Sequence, residues 1–311
     1  MATLRQLEYL VAIVDTGSFT RAAEQLHVTQ PGLSHQVLAL EREAGGALLE
    51  RLPRGIRLTA AGRAMLPYAR SALAEAERAG LAARRAAGIA TGELQVATLY
   101  SISFGILPTA FGLWRPRHPG VRVRLFEYRR TDELSAAMIE GRADVAIGPL
   151  PPGFDGVARE LGSEEFVVVT AVHDPAAAAG SVRLSELADR EWVHFTPASG
   201  LADILDRVGA ACGFQPRAAV RTEQASTAAN YAAAGLGPTL VPANTVPPRF
   251  QGAVLQPEPP VRRALTAYTR TEPDPVTAAF IGVLADEVPL TPNHVRRRLR
   301  PASSDDSVIE L

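Results

Sequence analysis

The stretch from Gly17 to Gln36 leaves this chain few ways to fold. Phe19, Ala22, Ala23 and Leu26 recur at helical spacing behind Ser18, a residue type that accepts from the free N–H groups of a helix start. Thr29 offers a second cap, and Pro31 falls in the first turn of the next helix, where a missing N–H costs little. Leu33, Val37 and Leu40 form that helix's apolar stripe, and Gln30, Pro31, Ser34, His35 and Leu38 lie on the opposite face. Two short helices therefore meet at a tight break over His27–Thr29. Short polar groups near the N-terminal end of the second are what a helix-turn-helix needs to reach base edges in the major groove. On spacing alone a merely solvated polar face is also open, because short helix pairs are common.

The flanks fit the same small domain. Leu4, Leu7, Leu10, Val11 and Val14 predict a first helix over residues 4–15, and Gly45-Gly46 stops the third after Glu43. Leu48–Arg51 and Ile56–Leu58, separated by Leu52-Pro53-Arg54-Gly55, read as two short strands of a wing. The chain's net charge is −1, so attraction to nucleic acid has to be local. All 32 basic residues are arginine, and Arg51, Arg54 and Arg57 sit on or beside the wing turn, placed for phosphates or the minor groove. A solvated hairpin is the plain alternative. Thr59 then caps a helix to about Ala87, roughly 40 Å long. Its Leu66, Ala69, Leu73, Ala76, Gly80 and Ala83 alternate three- and four-residue spacings, a seam for a partner helix and so for a homodimer. Pro67 predicts a bend, and residues 87–92 a hinge.

The run Gly17-Ser18-Phe19-Thr20-x-Ala22-Ala23-x-x-Leu26-x-Val28-x-Gln30-Pro31-x-Leu33-Ser34-x-Gln36-x-x-x-Leu40-Glu41 resembles the N-terminal domain of LysR-type transcriptional regulators. The resemblance implies a winged helix-turn-helix over 1–58 and a dimerisation linker over 59–91. Gln30, Pro31, Ser34 and His35 would read bases, Thr29 and Gln36 would support phosphate contacts, and Arg51, Arg54 and Arg57 would hold the backbone. The family commonly has alanine where Gly32 stands, which loosens the helix here by up to about 1 kcal/mol, and arginine where His35 stands, which puts a bidentate guanine contact in doubt.

From Leu94 onward the pattern becomes alternating strands and helices, an open α/β fold. Strands are predicted at Leu94–Thr98, Val121–Glu127, Asp144–Ile147, Phe166–Ala171, Trp192–Phe195, Ala219–Thr222 and Pro238–Val241. Helices are predicted at Ser103–Arg117, Thr131–Glu140, Leu201–Cys212, Ala225–Ala234 and Asp274–Glu287. Gly92-x-Leu94, Leu107-Pro108, His118-Pro119-Gly120-Val121 and Gly141-x-x-Asp144-Val145-Ala146-Ile147-Gly148 resemble the effector domain of the same family, which is similar to periplasmic solute-binding proteins. That implies a two-lobed domain over 92–295, one lobe about 92–163 with 267–295 and the other 164–266. The chain would cross between them near Ser163–Glu165 and Ala264–Ala267.

In such a fold ligands sit beyond the carboxyl ends of strands, beside helix N-termini that favour anions. Ser101, Ile102 and Ser103, then Thr131, then Thr196, Ser199 and Gly200, then Gln224 and Ser226 each follow a strand and open a helix. Any one hydroxyl is ordinarily only a helix cap. The resemblance implies ligand roles for Ser101 and Thr131 and a binding loop near Thr196–Gly200. The implied effector is a small molecule, with a carboxylate favoured. Arg129, Arg130 or His194 could pair with it, although His194 also reads as a core histidine. The charged tail 296–311 reads as disordered, and the lone Cys212 as a small buried residue. No signal segment, membrane span, metal spacing, cofactor motif or nucleophile–base arrangement is present, which predicts a cytoplasmic protein that is not an enzyme. The resemblance implies promoter DNA and an effector as partners, and dimers that assemble as tetramers. Two rivals stay open: a small-molecule binding protein without specific DNA recognition, and a constitutive DNA binder without effector.

Overall fold

Thr3 fixes the start of α1 (Leu4–Thr16) through a reciprocal cap: its hydroxyl accepts from the Gln6 N–H, and the Gln6 side chain accepts from the Thr3 N–H. Ser18 caps α2 (Phe19–Gln25) and Thr29 caps α3 (Gln30–Glu43), each accepting from the backbone N–H three residues on. His27, between them, has φ 53°, a left-handed conformation that glycine adopts without strain. His27→Gly is therefore expected to stabilise this domain by about 1 kcal/mol, read as a higher urea midpoint at unchanged slope.

The structure is a computed structural model that describes residues 1–52, 55–86, 92–299 and 308–311. It divides into two compact units, Met1–Gly92 with Ala137–Arg142, and Glu93–Ala136 with Ala143–Leu311. In the first, Leu10, Ile13, Ala22, Leu33, Val37, Leu40 and Leu48 share one buried core. The wing is β1 (Leu49–Leu52) paired antiparallel with β2 (Gly55–Leu58), one residue later at its start and one earlier at its return than the sequence pattern suggests. A Glu41 carboxylate oxygen accepts from the N–H groups of Leu48 (2.8 Å) and Leu49 (3.1 Å), which ties the wing to the end of α3. Arg54 and the hinge at 87–91 lie outside the described residues.

α4 (Ala60–Ala86) begins where expected, with the Thr59 hydroxyl accepting from the Gly62 N–H, and it contains Pro67. Its first half corrects the proposed seam. Ala69 is buried in the domain core, with Met65, Ala72 and Leu73 packed against it, and Arg70 pairs with Asp15 of α1. Ala69 and Leu73 thus cover their own domain, because the apolar face of α1 needs a cover. Gly62 permits the close approach of α4 to the wing, since a Cβ there would meet the Leu48 carbonyl oxygen at 2.1 Å.

The second unit is built from β3 (Glu93–Leu99), α5 (Tyr100–Gly105), α6 (Leu107–Trp114), β4 (Arg122–Tyr128), α7 (Thr131–Ile139, up to Ala136) and β5 (Val145–Gly148). It continues with β6 (Val157–Thr170), β7 (Ser181–Arg183), β8 (Glu191–Phe195), α8 (Gly200–Ala211), β9 (Arg217–Thr222), α9 (Ala225–Ala233) and β10 (Thr239–Pro242). It ends with β11 (Ala253–Glu258), β12 (Val261–Thr269), α10 (Pro275–Glu287), α11 (Asn293–Arg296) and β13 (Ile309–Glu310). The main sheet runs β4-β3-β5-β12-β6-β11-β7, with β10 on β6 and β13 on β12, and β8 pairs separately with β9. β3, β4 and β5 are parallel, whereas β12 is antiparallel to β5 and β6, so the sheet is mixed.

Three expectations are corrected. The helix predicted over 103–117 is α5 and α6 followed by a 3-10 turn at Arg115–Arg117, because Pro108 cannot donate the bond that a continuous helix needs and instead starts α6. β6 begins nine residues before the predicted Phe166; its first half is polar, and it pairs with β12 from Val157 to Glu165. The tail is ordered at both described ends. Leu299 packs on a core with Val295, and Ile309 and Leu311 pack on another while β13 adds parallel to β12. Apolar Ile309 and Leu311, beyond the serines and aspartates, make that possible; residues 300–307 lie outside the described set.

Candidate functional site

In the first unit the capping of α3 by Thr29 leaves its first turn facing outward. Leu33, Val37 and Leu40 are buried, whereas Thr29, Pro31, His35 and Gln36 are exposed and Gln30 and Ser34 partly so. Gln36 also accepts from the Gln6 amide at 3.2 Å, which anchors its side chain to α1. An alanine at position 32 would bring its Cβ to 2.9 Å from the Thr29 hydroxyl, so glycine there suits this cap. On the wing, Arg51 faces Ile56 across the hairpin and Arg57 faces Glu50. The Arg57 guanidinium binds the Glu50 carboxylate at 2.6 Å, and both side chains are largely exposed. Such a pair is worth little in water and leaves the cation available to a phosphate.

In the second unit the polar strand ends are not a uniform set of caps. Ser199 caps α8, its hydroxyl accepting from the Leu201 N–H. Gln224 precedes α9 without a side-chain bond, and it is exposed. α5 starts at Tyr100, so Ser101, Ile102 and Ser103 lie inside it, with Ser101 and Ile102 buried. The Thr196 hydroxyl is buried with no hydrogen-bond partner among the described residues.

Arg129 and Arg130, at the turn from β4 into α7, do not wait free for a ligand. The Arg129 carbonyl accepts from the Gly200 N–H at 3.0 Å, and its guanidinium pairs with Glu223 at 3.3 Å. Arg130 pairs with Asp203 at 2.8 Å and with Asp132 at 3.2 Å, and donates to the Pro197 carbonyl at 3.4 Å. These bonds join the turn before Thr131 to the segment that holds Thr196, Ser199 and Gly200. His194 is a core histidine, the plainer of its two readings. It is 1% exposed, with Nε2 against Asp206 at 3.0 Å and Nδ1 against Arg221 at 3.1 Å. Cys212 is half-buried at the end of α8, and desolvation raises its thiol pKa.

One polar cluster escaped the sequence reading. Glu164 of β6 and Arg263 of β12 face each other in register across the antiparallel β6–β12 pair. Both are buried, with Arg263 Nε donating to Glu164 Oε2 at 2.9 Å and the Asn244 amide donating to Oε1 at 2.6 Å. Arg263 also lies over the Phe166 ring at 5.4 Å. Asn244 in turn lies against α5, where a Cβ on Gly105 would meet its Oδ1 at 2.2 Å. The cluster thus links these two strands to the helix that carries Ser101.

Comparison with known proteins matches both halves. Residues 4–63 match the bacterial regulatory helix-turn-helix model of the lysR family, and residues 87–289 match the LysR substrate binding domain. The chain is 32% identical over 248 residues to the HTH-type transcriptional regulator BenM of Acinetobacter baylyi, covering 78% of this chain and 81% of that one. It is 31% identical over 296 residues to the HTH-type transcriptional regulator IlvR of Caulobacter vibrioides, covering 91% and 98%. The crystal structure of full-length CbnR complexed with its target DNA superimposes with a TM-score of 0.64 at 27% identity, covering 95% of this chain and 99% of that one.

Proposed function

The chain belongs to the LysR family of transcriptional regulators, with a DNA-binding and an effector-binding domain, and from that premise we propose how it reads DNA and senses its effector. Gln30, Pro31, Ser34 and His35 read base edges in the major groove, Thr29 and Gln36 hold phosphates, and Arg51, Arg54 and Arg57 of the wing hold the flanking backbone or minor groove. The observation that carries this reading is the outward polar face of α3 opposite buried Leu33, Val37 and Leu40. The protein works in the cytoplasm as a dimer through the second half of α4, beyond the part that covers α1, and dimers pair into tetramers.

The effector is a small carboxylate bound between the lobes by Ser101, Ile102, Ser103, Thr131, Thr196, Ser199, Gly200, Gln224 and Ser226. Its acid group competes with Asp203 for Arg130 and with Glu223 for Arg129. That exchange gives the ligand a different affinity for the latched and unlatched states, which any ligand-driven shift requires. A thermal-shift screen of small mono- and dicarboxylates identifies the ligand, since 100 times Kd adds about 2.7 kcal/mol of stability. With the hit in hand, Asp203→Asn is expected to tighten binding up to about five-fold by releasing Arg130, and Arg130→Ala to weaken it about ten-fold. Calorimetric titration checks both; equal losses in the two variants would make the pair a structural clasp with no part in ligand binding.

A further inference from the structure

Leu38 is half exposed, 51%, in a helix whose other leucines are buried. At 3.6 residues per turn, Ser34, Pro31, Leu38, Arg42 and His35 fall within an arc of about 100°, with Leu38 near its middle. The Arg42 Nε donates back to the Leu38 carbonyl at 3.2 Å, so the guanidinium stem flanks the leucine along that face. Leu38 lies outside the buried core of the domain and turns half of its apolar surface to the same side as Ser34, His35 and Arg42. Leu38 also lies one turn beyond Ser34, about 6 Å along the axis, close to two base-pair steps of about 3.4 Å. The one apolar group that the floor of the major groove presents is the 5-methyl of thymine.

We propose that Leu38 is a specificity-determining residue that reads a thymine by packing on its 5-methyl group, two base pairs from the base contacted by Ser34. The proposal rests on the reading of α3 as the base-reading helix. Water leaves the leucine and the methyl together on binding, and cytosine, which carries no methyl there, is disfavoured at that position. Arg42, one turn further on, is placed for the phosphate that follows.

The test uses the full chain and synthetic duplexes. Selection from a random duplex pool gives the preferred site, and each thymine in it is then replaced singly by uracil, which removes only the methyl. Wild type is expected to lose three- to five-fold in affinity at one thymine per contacted half-site, and Leu38→Ala to show no loss there while binding the parent site as weakly as wild type binds the uracil site. Sedimentation of Leu38→Ala should match wild type, because the side chain stands outside the domain's buried core. A selected site with no uracil-sensitive thymine, or a Leu38→Ala protein that keeps the sensitivity, overturns the proposal and leaves the base-reading role of Ser34 and His35 standing. Selection of no site at all overturns both. A change in oligomeric state on Leu38→Ala would assign the leucine to a contact between copies of the chain.

Discussion

Alanine at both Ser34 and His35 should cost about 3 kcal/mol of binding to a selected operator, on the order of 100-fold, with binding to unrelated DNA nearly unchanged. The asymmetry follows from what the residues can touch. Both lie on the outward face of α3 and neither contributes to the buried stripe, so their removal falls on base contacts and leaves the wing's phosphate contacts in place. Anisotropy titrations at one stated salt concentration measure the ratio, and sedimentation shows whether assembly survives. Equal losses on specific and unrelated DNA would mean that the two residues hold the backbone instead of reading bases. Alanine at Arg57 provides the contrast: a uniform loss on all sequences and a salt slope lower by about one unit, since it would remove one phosphate contact.

Removing Arg263 should be the most damaging single change in the effector domain. Arg263→Ala leaves the Glu164 carboxylate buried with only Asn244 to satisfy it, a loss of about 3–5 kcal/mol. The urea midpoint would fall by about 1–2 M. Both tryptophans, Trp114 and Trp192, belong to this domain, so tryptophan fluorescence, excited selectively over tyrosine, follows its unfolding alone. The double variant Arg263→Met with Glu164→Gln removes both charges, and it should recover most of the stability, because a paired buried charge gives little net stabilisation while an unpaired one costs much. If Arg263→Ala unfolds at the wild-type midpoint, the pair is solvated and the account of the β6–β12 pair fails.

Local signals explain what could be read from residues alone. The caps Ser18 and Thr29, the proline in the first turn of α3 and the spacing of Leu33, Val37 and Leu40 all act within one or two turns, and each appears in the structure in that role. The missed features are long-range. β6 from Val157 to Glu165 carries Arg159, Glu160, Glu164 and Glu165 and reads as loop, yet it is a strand because β12 supplies its ladder and, through Arg262 and Arg263, its countercharges. Glu164 and Arg263 are 99 residues apart, and no period in the sequence connects them. Arg129 and Arg130 read as ligand cations because Asp203 and Glu223 stand too far along the chain to be recognised as their partners. Helical spacing shows the apolar face of α4 without showing what covers it; α1 covers the part at Ala69.

Guanine methylation interference on a selected operator would probe the placement of α3 in the simplest way. Methyl groups at guanine N7 project into the major groove and leave the phosphates untouched. Methylation should block binding at specific guanines in each half-site, and the Ser34→Ala, His35→Ala protein should lose that pattern on the DNA it still retains. Full binding to DNA methylated at every guanine, with interference confined to adenine N3 in the minor groove, would show that the face of α3 does not enter the major groove.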